Sequence, residues 1–153
     1  MIGLHNATSY QRLMEFSRAA FTFNVKYLVL TKIGGTAAQS GVPDLSKIAF
    51  KSGKSFIVLP DLKDAIELLK PDYVYLVSSS AGEELRVEEI DAYKNVLIVF
   101  SGIESGFTKI EQSLGKVVKL PGLEADPGPV ASLGALMYCV MSKNLMEKNK
   151  SSQ

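Results

Sequence analysis

Val96-Leu97-Ile98-Val99-Phe100 is apolar at every position, and Ser101-Gly102 ends the run. A strand with one wet face alternates apolar and polar residues. A strand without alternation is covered on both faces, as in a parallel sheet sandwiched by helices. Working back, 72–77 (Asp-Tyr-Val-Tyr-Leu-Val) reads as another strand, with a polar loop over 78–82 beyond its end. The acidic stretch between these two strands, 83–93, predicts a helix. Ser55-Phe56-Ile57-Val58-Leu59 is a strand that Pro60-Asp61 turns into a helix, with Leu62, Ala65, Ile66, Leu68 and Leu69 on one face. Val25 to Leu30 is β-branched and aromatic and reads as a strand broken by Gly34-Gly35, and a short helix follows around Leu45, Ile48 and Ala49.

The first strand is Ile2-Gly3-Leu4-His5, and Asn6 or Thr8 is the expected cap of the helix that follows. Leu13, Met14, Phe16, Ala20, Phe21 and Phe23 recur at helical spacing up to Asn24, a residue that tolerates the left-handed conformation of a helix end. Downstream of the central run, 110–114 reads as helix and 117–120 as a last strand. The Pro- and Gly-rich segment 121–129 leads into a nearly uncharged helix over 130–146. Strands thus alternate with helices throughout. This predicts an α/β fold, a mostly parallel sheet with helices on both faces, in a single domain over 1–147 with a frayed polar tail at 148–153.

The chain has 153 residues, 46% hydrophobic and 22% charged, enough to bury one core without a metal or disulfide staple. Its single cysteine, Cys139, excludes an internal disulfide and any multi-cysteine metal site. The formal net charge of +1 gives no overall field for or against nucleic acid. No apolar run approaches the ~20 residues that cross a bilayer, and no secretory signal pattern opens the chain, so a cytoplasmic protein is expected.

Ligands of such sheets bind beyond the carboxyl ends of the strands. The loops 78–82, 101–106 and 121–129 lie there. No Gly-x-Gly-x-x-Gly or P-loop spacing is present. His5 is the only histidine, and Cys139 sits in an apolar helix, where a thiol is inert packing, so a His-based triad is disfavoured. Glu83-Glu84 and Glu88-Glu89 read as a solvated face. A metal-dependent nuclease needs acids and a lysine converging at strand ends; Glu124 and Asp126 are candidates, but no lysine spacing completes a motif. Arg18, in an otherwise apolar stretch, either snorkels or faces an anion.

Three segments carry a family resemblance. Arg18-Ala19-Ala20-Phe21-Thr22-Phe23-Asn24-Val25 is the first, with Arg12 and Met14 where the pattern has Asn and Gly. Leu97 to Gly106 ends in a Gly-x-Glu-Gly-x-Gly-like turn, with Glu104 one position late. Leu120-Pro121-Gly122 and Val130-Ala131-Ser132-Leu133-Gly134-Ala135 frame the third, with Ala125-Asp126-Pro127 in place of Ser-Leu-Asn. The chain resembles the SPOUT superfamily of trefoil-knotted methyltransferases, in its SpoU-like, ribose 2′-O-methylating branch. Compact archaeal proteins are grouped there, and some are called RecB-family nucleases, a reading for which these residues show no motif.

The resemblance implies a C-terminal trefoil knot whose loops hold S-adenosylmethionine through Ser78, Ser79, Phe100, Ser101, Gly102, Leu120, Pro121, Gly122, Asp126, Gly128 and Val130. It implies catalysis by Arg18, which activates the ribose hydroxyl, with Arg12 and Glu104, and no metal. It implies RNA, tRNA or rRNA, as substrate, and a homodimer through the 130–146 helix. Arg12, Arg18 and Lys32 are candidates for phosphate contact. The loss of Ser-Leu-Asn favours an alternative, a catalytically impaired knotted scaffold that binds a nucleotide-like ligand or a protein or RNA partner. A metal-dependent nuclease is the third reading.

Overall fold

The computed structural model describes residues 1–90 and 95–152. Among the described residues, six strands form one sheet: β1 (Ile2–His5), β2 (Tyr27–Thr31), β3 (Ser55–Leu59), β4 (Tyr73–Val77), β5 (Val96–Ser101) and β6 (Lys116–Val118). Their order is β3-β2-β1-β5-β4-β6 and every pairing is parallel. The helices are α1 (Tyr10–Thr22), α2 (Val42–Ser52), α3 (Leu62–Leu69), α4 (Lys109–Gln112) and α5 (Pro129–Ser151). A π-helical turn, Ala37–Gly41, leads into α2. The expected α/β class with a parallel sheet is what the chain forms.

Alternation along the strands divides the core. Ile2, Leu4, Leu28, Leu30, Ile98 and Phe100 point to one face, where α1, α2 and α5 supply Leu13, Phe16, Leu45, Leu133 and Leu136. Val29, Leu76, Leu97 and Val99 point to the other, under Leu62 and Ala65 of α3 and Phe107. The central strand is therefore apolar on both sides because both sides are covered. Phe100 packs its ring against Phe16, with centroids 5.6 Å apart.

Local signals set the helix ends. Ser9, rather than Asn6 or Thr8, caps α1 by accepting from the Arg12 amide. Asn24 takes the expected left-handed conformation, with φ 62°. Asp61 caps α3 and Thr108 caps α4, each in a reciprocal capping box, with Asp64 and Glu111 respectively. Gly128, with φ 91°, turns the chain into α5, and Pro129 occupies its first position.

Two further expectations need correction. The acidic stretch forms only a 3-10 turn, Val87–Glu89, within its described part; residues 91–93 of that expectation lie outside the described residues. Leu85 is buried in the core and Glu84 bridges Lys119 beside β6, and these tertiary contacts override the helix propensity of glutamate. The last helix runs on to Ser151 through the segment expected to fray; it meets no Gly or Pro there, and Lys148 and Lys150 suit its carboxyl end. No described helix is long and apolar enough to cross a membrane.

Candidate functional site

β1 and β5 are neighbours whose connections leave in opposite directions, so their carboxyl ends form the switch point of the sheet. His5 ends β1, opposite Ser101 of β5 and Thr31 of β2. The His5 ring is fully buried. Its Nδ1 lies 2.7 Å from Thr31 Oγ1 and its Nε2 2.8 Å from Glu111 Oε1. Phe107 stacks on the ring at 6.0 Å, with 21° between planes. Asp61, two residues beyond β3, completes the group: ligand atoms of His5, Asp61 and Glu111 all lie within 4.8 Å of one another. Asp61 is exposed and the other two are buried, so the cluster is anchored in the core and open on one side.

Burial works against a charged Glu111. Its carboxyl is nonetheless held below the usual carboxylate range, because the Thr108 amide donates to Oε2, His5 lies against Oε1, and the Lys32 charge adds to both. Lys32 follows Thr31 at the end of β2 with φ 51°, a strained conformation held by the hydrogen bond that its backbone N–H donates to the Leu59 carbonyl. Two acids, an imidazole and a lysine thus converge at strand ends.

A second concavity, of about 190 Å³, opens beyond the ends of β4, β5 and β6. Ser78, Ser79, Phe100, Ser101, Glu104, Leu120 and Asp126 line it, as expected from the three loops. Gly102, Pro121, Gly122, Gly128 and Val130 are not in its lining. Gly102 instead carries the crossing of two loops: a Cβ there would stand 2.5 Å from the Asn6 carbonyl oxygen. Neither Arg12 nor Arg18 reaches the concavity; Arg18 is exposed on α1. Arg12 Nη1 donates to the Gly102 carbonyl at 3.0 Å, which makes it a tie between α1 and the loop after β5. Arg12→Met, which keeps the stem and removes the donor, is expected to cost about 1 kcal/mol in urea unfolding.

Sequence reasoning named His5 as a lone histidine, Asp61 as a helix start and Lys32 as a phosphate contact, and passed over Glu111. The available signals were Thr108-x-x-Glu111, a capping-box spacing, and the positions of His5 and Asp61 at or just beyond strand ends.

A family model described as RecB-family nuclease (DUF2122) matches residues 35–139, a span that contains Asp61 and Glu111. A protein of Methanocaldococcus jannaschii, provisionally named type II restriction enzyme MjaORF1200P, is 37% identical over 94% of this chain and 97% of its own length. A protein of Aeropyrum pernix, provisionally named type II restriction enzyme ApeKORF2002P, is 38% identical over 90% of each chain. Among solved structures, the SpoU methyltransferase AviRb of Streptomyces viridochromogenes superposes with a TM-score of 0.74 at 11% identity; the match covers 95% of this chain and 60% of that one. The fold is therefore the one seen in SpoU methyltransferases, as the resemblance implied.

The activity is not carried over with it. The family and both relatives overturn the expectation of an S-adenosylmethionine-dependent RNA methyltransferase, and S-adenosylmethionine with it. The residues agree: Ala125 and Pro127 have no side-chain hydrogen bond to offer where Ser and Asn would stand, and Arg18 lies outside the concavity. By the family model, which matches more than half of the chain, the chain belongs to the DUF2122 family, described as RecB-family nuclease.

Proposed function

We propose that the protein is a metal-dependent nuclease whose centre is His5, Asp61 and Glu111, with Lys32 beside it. The observation that carries this reading is the convergence of the three ligand atoms within 4.8 Å at the carboxyl rim. One imidazole nitrogen and two carboxylates suit a divalent cation of the Mg²⁺, Mn²⁺ or Zn²⁺ kind. Thr31 Oγ1 on Nδ1 supports the fit, since it can accept a hydrogen bond from Nδ1–H and leave Nε2 free to ligate. Bound there, the cation would supply Lewis-acid polarisation of a phosphodiester. Lys32, exposed and close enough to act on the Glu111 charge, would hold a substrate phosphate. Phe107 covers the imidazole face and keeps the ring in place.

Plasmid DNA, a single-stranded oligonucleotide and tRNA, each incubated with Mg²⁺ or Mn²⁺ and with a chelator control, test the proposal. Cleavage that the chelator stops and fresh metal restores is the expected result. Absence of cleavage of all three with either metal rejects it.

The serine-lined concavity favours a second reading, a scaffold that binds a nucleotide-like ligand without chemistry. Calorimetry with a nucleoside monophosphate distinguishes the two: heat without metal-dependent cleavage belongs to the scaffold.

A homodimer through α5 is part of the proposal. Tyr138, Met141, Leu145 and Met146 are exposed on that helix, at successive spacings of three, four and one residues. Leu145→Glu with Met146→Lys is expected to convert a dimer, twice 16.6 kDa by light scattering, to a monomer; an unchanged mass would place any dimer contact elsewhere.

A further inference from the structure

α2 carries a feature that the proposed centre does not use. Phe50 is 89% exposed, more than any other large apolar residue noted on the described surface. Lys47 and Lys51 stand three residues before and one after it. At 100° per residue the three side chains share an arc of about 100°. Both lysines are exposed, and no carboxylate pairs with either among the described residues. Asp44, the one acid of α2, is engaged by the Tyr10 hydroxyl at 2.7 Å. Lys54 and Lys26 extend the cationic surface past the helix end: Lys54 Nζ donates to Asn24 Oδ1, and the Lys26 carbonyl accepts from Ser55. α2 connects two parallel strands, so it runs from the carboxyl rim, where the metal-site candidates lie, back to the amino rim.

We infer that this face of α2 docks a single-stranded stretch of nucleic acid, with Lys47 and Lys51 on phosphates and Phe50 stacked on an unpaired base. An exposed ring beside unpaired cations fits a strand whose bases offer flat faces beside negative phosphates. A base inside a duplex has no free face for the ring. The inference rests on the nuclease reading for its class of substrate, and it adds which form of that substrate is held and where.

The test is fluorescence polarisation with a labelled oligothymidylate of twelve nucleotides, in chelator so that no cleavage occurs, against a labelled duplex of mixed sequence. Phe50→Ala is expected to lower affinity for the single strand by about fivefold or more while the duplex changes little. Lys47→Glu with Lys51→Glu is expected to weaken binding and to reduce the slope of log affinity against log salt by about 1.4, as two fewer phosphate contacts imply. All three residues are exposed, so circular dichroism should show the variants folded. Variants that bind the oligonucleotide like the unaltered protein, no binding by the unaltered protein, or a Phe50→Ala change that instead splits a dimer in sedimentation would each overturn the inference. Since no cleavage is read, these outcomes are separate from failure of the metal centre.

Discussion

Asp61→Asn is expected to reduce metal-dependent cleavage by at least about 100-fold and to leave the fold intact. The substitution separates two duties of one side chain. As the cap of α3, Asp61 accepts from the Leu62 amide at 2.7 Å within a reciprocal box with Asp64. Asparagine caps a helix about as well as aspartate, so unfolding should shift by only a few tenths of a kcal/mol. As a ligand candidate, Asp61 offers a charged oxygen to the cluster of His5 and Glu111, and asparagine removes that charge. Initial rates over a Mn²⁺ titration, read beside a urea melt, give both quantities. Cleavage within a few-fold of the unaltered protein would move the centre elsewhere.

Glu111→Ala is expected to destabilise the protein by about 3 kcal/mol in chelator, where no metal contributes. The loss combines two events. The buried His5 ring is left without its partner at 2.8 Å, and the Thr108 amide at the start of α4 loses its acceptor. Glu111→Gln keeps the shape and removes the charge, so it isolates the titration. Since the folded carboxyl lies below its ordinary value, Glu111 binds its proton more readily in the unfolded chain. Its contribution is complete above about pH 5 and disappears as pH falls through the folded value. Urea melts from pH 7 down to pH 3 should therefore show an acid-side loss in the unaltered protein that the glutamine variant lacks in part. Parallel curves for the two would mean that Glu111 titrates as it does in the unfolded chain.

Much of the architecture was written in local pattern. The unbroken apolar run of β5 required cover on both faces, and two core clusters provide it. Asn24 at the end of α1 and Asp61 at the start of α3 act through their own backbone neighbours, so their roles were readable without tertiary knowledge. The three loops expected to meet do meet: Ser78, Ser101 and Asp126 line one concavity. Local pattern failed where distant residues compete with propensity, as when Leu85 enters the core and draws glutamates out of a helix. Motif resemblance followed the fold faithfully and the chemistry poorly, because a scaffold depends on many apolar positions and a reaction on a few side chains.

By itself, then, the amino-acid order determined an alternating α/β chain, its parallel sheet and most of its helix boundaries, since hydrophobic periodicity and capping act over a few residues. Only the tertiary structure decided the strand order β3-β2-β1-β5-β4-β6 and, through it, the meeting of His5, Asp61 and Glu111. Those side chains are 56 and 50 residues apart along the chain by their numbers, and no periodicity spans such distances. Parallel strands bring their carboxyl ends to one rim, and that shared edge places the three together.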